Sequence, residues 1–123
     1  MPHLTLEVTN NLRSSINATT LLQAAHQALL VSGVFAAADV KSRLLWLDTF
    51  CVGQADAAEK AEGFIHARLD LLAGRPPEVR QSLAEAVVAT LKAHITPSQP
   101  VQISCLVREM ERSHYAKYCS HRS

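Results

Sequence analysis

Twice along this chain an apolar alternation of period two gives way to a helical period and then returns, and this double switch limits the fold more than any other feature. The first run, HLTLEVT at 3–9, sets Leu4, Leu6 and Val8 on one face and predicts a strand. NNLRSSIN supplies turn and capping residues. Residues 17–32 then read as a helix, with Leu22, Ala25 and Leu29 on one stripe and Gly33 as its stop. A second strand is expected over 40–52, where Leu45, Leu47 and Thr49 alternate with Leu44, Trp46 and Asp48. Its apolar residues on both sides predict a strand covered on both faces.

GQADAAEKAEG, from Gly53, is polar and Ala-rich and reads as an exposed connection. FIHARLDLLAG, from Phe64, predicts a third strand with Ile65, Ala67, Leu69 and Leu71 facing inward. Pro76 and Pro77 suit the first turn of a second helix, and Glu78 complements its dipole. Helical spacing then runs through Val79, Leu83, Ala86, Val87, Thr90, Leu91 and Ile95. VQISCLVRE, from Val101, predicts the fourth strand. From about residue 110 the tail MERSHYAKYCSHRS is polar and aromatic, with no clear period.

The order is β-α-β, a connection, and β-α-β again: two halves that suggest an internal repeat. Each helix is long enough to cross between parallel strands. The expected class is α+β, one domain over 1–123, with a four-stranded sheet carrying both helices on one face. Nothing in the chain is left to cover the other face, so burial against further copies is expected.

Composition narrows the function. With 48% hydrophobic and 19% charged residues the chain is an ordinary globular one, and 12 Lys and Arg against 11 Asp and Glu give no basic surplus for nucleic acid. Cys51, Cys105 and Cys119 are odd in number and lack CxxC spacing, so they read as reduced thiols of a cytoplasmic protein. The start lacks a signal peptide's basic and apolar regions. The uncharged stretch from Leu21 is interrupted by Gln23, His26, Gln27, Ser32 and Gly33, which predicts an amphipathic helix and no membrane partner.

The MPH start raises a chemical question. Proline lacks an amide N–H, so a sheet accepts it at a strand's first residue, and Pro2 fits that structural role. An initiator methionine before a small residue is commonly trimmed, however. Pro2 would then carry a secondary amine, a base that no internal residue supplies.

Five segments together resemble the 5-carboxymethyl-2-hydroxymuconate isomerase family of the tautomerase superfamily. They are MPH, TNNL after the first strand, ALLVSGVF closing the first helix, KSRLLWLDT in the second strand, and FIHARLDLLAGR before the second helix. The resemblance implies a homotrimer whose sheets wrap a central axis, with the terminal proline as catalytic base and no cofactor or metal. It implies a proton moved within an unsaturated 2-hydroxy or 2-oxo dicarboxylate or tricarboxylate from aromatic compound catabolism. By position Arg75 matches a family arginine that holds a carboxylate. Lys41 falls where relatives carry arginine and offers a point charge without the bidentate fork. Hydration, dehalogenation or another tautomerisation by the same base is the alternative chemistry, and an inactive trimeric binding protein the alternative class.

The remaining clusters carry less. Arg43 and Asp48 read as ion-pair or interface residues. His3 should point away from the Leu4 face, in a packed or solvated role with orientation of the terminus as the alternative. His114, Cys119 and His121 lack a fourth partner at zinc spacing and read as part of a flexible tail. His26, His66 and His94 have no visible acid or nucleophile, and there is no glycine-rich phosphate loop or GxSxG.

Overall fold

A computed structural model describes residues 1–54 and 62–121. Alternation builds β1 (Pro2–Thr9), and Asn17 caps α1 (Ala18–Val31) through its side chain, which accepts from the Thr20 N–H at 3.0 Å. After β2 (Lys41–Leu47) and β3 (Gly63–Leu72), α2 (Pro77–Ala93) opens with Pro76 as its N-cap and Pro77 in the first turn. β4 (Val101–Met110) completes the sheet.

The strand order is β2-β1-β3-β4. β1 pairs parallel with β2, and β3 parallel with β4, as each helical crossover requires. β1 and β3 meet antiparallel at the centre. The register puts Leu4 opposite Leu69, Leu6 opposite Ala67 and Val8 opposite Ile65. These fully buried residues join Leu21, Ala25 and Leu29 of α1 and Leu83, Val87 and Leu91 of α2 in one core.

Several bounds differ from the sequence reading for physical reasons. β2 stops at Leu47, not 52, because β1, its only neighbour among the described residues, ends at Thr9, the partner of Leu47. In α1 the buried line is Leu21, Ala25 and Leu29, spaced by four, with Leu22 packed at its side. In α2, Ala86 is exposed, and Ile95 lies beyond the helix end. Most of the expected connection after Gly53 lies outside the described residues. Among those described, no helix is long and apolar enough to cross a membrane.

The tail departs most from expectation. It forms a short 3₁₀ turn at Arg112–His114 and then folds back over the chain start. Arg112 Nε donates to the Ala73 carbonyl at 3.0 Å, the Tyr115 hydroxyl meets His3 Nε2 at 3.2 Å, and Lys117 Nζ reaches the Asp39 carboxylate at 3.0 Å.

The sheet face away from the helices is mixed. It presents His3, Arg43, His66, Arg68, Asp70 and Arg108 alongside Leu45 and Leu106, which remain 47% and 48% exposed. The apolar character read on both sides of the second strand is real, but in a single chain its outward side is uncovered.

Candidate active site

Pro2 is buried at the start of β1, an interior strand, opposite Leu71 of β3. On the other side β1 pairs His3 with Lys41, so the chain start lies between the beginning of β2 and the end of β3. Pro2 shares the inward face with Leu4, whereas His3 faces the open side, as alternation predicts. The Met1 ammonium donates to the Asp39 carbonyl oxygen at 2.8 Å, and Lys41 Nζ donates to the same oxygen at 3.0 Å.

Arg75 reaches this end of the sheet by a sharp turn. Gly74 takes a φ of 132°, where any side chain would be strained, and its N–H donates to Glu109 Oε2 at 3.3 Å. The Arg75 guanidinium is held by the Leu72 carbonyl at 3.3 Å and by the Phe35 ring, 5.0 Å from carbon to ring centre. It lines a cavity of about 160 Å³ together with Met1, Phe35, Asp39, Leu72 and Arg112. A second, wider cavity of about 600 Å³ holds Lys41, His3, Tyr115, Lys117 and Cys119. Both cavities touch Ala36 and Asp39, so they flank one short segment on the two sides of the chain start.

The electrostatics favour a neutral amine. Burial pushes the Met1 ammonium below its ordinary value. Asp39 opposes that shift, while Lys41, Lys117 and Arg75 lower it further. Asp39 itself is held below the usual carboxylate range, first by its hydrogen bond from Lys117. Burial also lowers His3, with Arg43 and Lys41 adding to the shift and Asp70 opposing it.

All three residues singled out from the sequence thus gather at one end of the sheet, with Met1 and Arg75 lining one cavity and Lys41 the other. Sequence reading missed Arg112, Tyr115 and Lys117, which arrive here only because the tail doubles back. Their one visible signal was a cluster of cationic and aromatic residues with no period. Arg43 contacts His3, not Asp48, while Asp48 is exposed beyond the end of β2. Of the three tail residues considered as metal ligands, Cys119 and His121 line the wider cavity.

Chemically, this end offers a half-buried chain terminus with Pro2 buried behind it, cations on both sides and a narrow, mainly polar cavity edged by Phe35. Such a site suits a small polyanion and a proton transfer.

The profile of the family described as 5-carboxymethyl-2-hydroxymuconate isomerase matches residues 2–122. The 5-carboxymethyl-2-hydroxymuconate Delta-isomerase of Escherichia coli is 30% identical over 116 residues, covering 93% of this chain and 88% of that protein. A crystal structure of a 5-carboxymethyl-2-hydroxymuconate isomerase from Deinococcus radiodurans R1 superposes with a TM-score of 0.83 at 27% identity, over 95% of this chain and 88% of the other. The fold extends to a structure described as a Q0 fused 4-OT wild type symmetric trimer, with a TM-score of 0.69, 21% identity, and 90% and 87% coverage.

Proposed function

This chain belongs to the 5-carboxymethyl-2-hydroxymuconate isomerase family, and from that membership we propose that it isomerises 5-carboxymethyl-2-hydroxymuconate or a close relative with Pro2 as the base. The observation that carries the reading is the buried Pro2 with cations on both sides of the chain start. Removal of Met1 turns the Pro2 nitrogen from an amide into a secondary amine and empties the space that Met1 takes beside Arg75. Burial and positive charge, which lower the Met1 amine, act on a terminus one residue along as well. A base held near neutrality is the most effective at neutral pH.

In the reaction the proline nitrogen takes the proton of the 2-hydroxyl group. The electron pair moves through the conjugated dienol, a 2-oxo group forms, and prolinium returns the proton to the distant carbon. Arg75 holds a carboxylate through two parallel hydrogen bonds, and Lys41 steadies the negative charge that develops on the enolate. A substrate of this kind arises from aromatic ring cleavage, and the free cysteines Cys51, Cys105 and Cys119 support a reducing, cytoplasmic setting.

The chain acts as a homotrimer in this reading. Half-exposed Leu45 and Leu106 on the uncovered sheet face support its burial against other copies, and closed symmetry would protect the outer edges of β2 and β4.

Intact mass of the purified protein together with the rate of an N-terminally extended variant tests the base. The native chain should begin at Pro2, and the extended, uncleaved variant should lose proton transfer, because an acylated proline nitrogen is not basic. Normal turnover by the extended protein would move the base elsewhere.

A further inference from the structure

Asp39 meets the chain start with two groups of opposite consequence. Its carbonyl oxygen accepts from the Met1 ammonium at 2.8 Å and from Lys41 Nζ at 3.0 Å, which fixes both. Its carboxylate favours a proton on the terminal amine, as any nearby negative charge does. That carboxylate is not free. Lys117 Nζ, from the folded-back tail, reaches Asp39 Oδ1 at 3.0 Å.

The other acids near this end are engaged elsewhere. Asp70 of β3 is paired with Arg68 and Arg108, and Glu109 of β4 faces Arg80 at 3.6 Å and accepts from the Gly74 N–H. On β1, His3 takes a hydrogen bond from Arg43. Among the described residues the balance at the terminus is therefore Asp39 against Lys41, Arg75, Lys117 and Arg112, the last lining the narrow cavity with Met1. Removal of Met1 shifts the amine by about 3.8 Å, one residue along, within the same ring of charges.

We infer that Lys117 is a positioning residue for the terminal amine: its ion pair fixes Asp39 and offsets the negative charge that Asp39 would otherwise turn on Pro2. The inference rests on Pro2 as the base, proposed above, only for its consequence in turnover. Because Lys117 lies on the tail, the segment that closes over the chain start also supplies the charge that favours an unprotonated amine. The pair is partly open to water, with side chains 28% and 43% exposed, so its effect is modest.

Magnetic resonance titration of the Met1-trimmed protein carrying isotope-labelled proline reads the amine without substrate. Profiles of kcat/KM against pH with 5-carboxymethyl-2-hydroxymuconate read it in turnover. Lys117→Met should raise the amine's pKa and lower kcat/KM on the acid limb by about twofold to fivefold, with the loss closing at high pH. Lys117→Arg should match the native protein, and Asp39→Asn should move the amine the other way. In the double variant Asp39→Asn with Lys117→Met the rise should vanish, because charge and counter-charge have left together. A lysine that only pins the tail gives a different pattern: its loss admits water to the terminus, and the rise persists in the Asp39→Asn background. That persistence, no shift in Lys117→Met, or shifts of the same sign in the two single variants would each overturn the inference. Amine shifts of the expected pattern with an unmoved rate profile would uphold the pairing and place the base elsewhere.

Discussion

Arg43 donates through Nη2 to Nδ1 of His3 at 2.7 Å. A guanidinium has no acceptor, so Nδ1 must be the bare nitrogen and the proton sits on Nε2, facing the Tyr115 hydroxyl at 3.2 Å. The neutral ring thus ties β1 to the tail, and protonating it would set a cation against Arg43. Burial and then Arg43 lower the His3 pKa from its ordinary 6.5. Between that lowered value and 6.5 the unfolded chain holds the proton and the folded chain does not. Stability should therefore fall as pH drops below 6.5, and this contribution stops changing once folded His3 titrates too. Urea midpoints across this range should fall more steeply for the native protein than for His3→Gln; parallel curves would contradict the tie. Tyr115→Phe should cost about 0.5–1.5 kcal/mol.

Lys41 and Arg75 should act on the base as well as on the substrate. Removing either charge leaves prolinium less disfavoured, so the basic pKa in kcat/KM should rise in Lys41→Ala and Arg75→Ala. Loss of a partner that leaves a buried carboxylate unpaired should also weaken binding by about 2–5 kcal/mol. Arg75→Lys should keep the pKa yet lose affinity, because the bidentate fork is gone. Lys41→Arg should be tolerated. Profiles of kcat/KM against pH that coincide for all four variants would mean that neither cation lies near the base.

Gly63 and Leu12 fit too closely for any added atom. A Cβ at Gly63 would lie 2.7 Å from Leu12 Cγ and Cδ2, and Leu12 is fully buried. Gly63→Ala should destabilise by about 1–3 kcal/mol through overpacking. Leu12→Ala should cost about 2–5 kcal/mol through the cavity it leaves. Combined, the two should cost less than their sum, since the new methyl enters the vacated space. Strict additivity in chemical denaturation would show that the clash is relieved by backbone movement instead.

Leu45 and Leu106 test the assembly. Leu45→Asp and Leu106→Asp each put a charge on the open sheet face, where burial against another copy would leave it unpaired. Light scattering should show the native protein near three times the 13.4 kDa chain mass and the variants shifted toward monomer. A native monomer at micromolar concentration would refute the trimer.

Period and local chemistry decided most of the secondary structure. Leu4, Leu6 and Val8, and likewise Ile65, Ala67, Leu69 and Leu71, had to share faces because successive strand side chains alternate. Pro76 and Pro77 had to start a helix, because a missing N–H is harmless only in the first turn. Pro2 drew notice as a strand start, whereas Lys41 and Arg75 were singled out only by their positions in segments that resemble the family's. Where β2 ends was not legible, because Leu47 stops the strand only through the length of β1, its partner. Nor was the choice of Leu21 over Leu22, since both lie on the apolar side of α1 and only packing on the sheet selects between them. The tail shows the limit most clearly. Arg112, Tyr115 and Lys117 have no period of their own, and their positions come from single hydrogen bonds to Ala73, His3 and Asp39, far away in sequence. Such long-range, one-to-one contacts leave no repeating trace in a chain, so only the tertiary structure brings those side chains to the site.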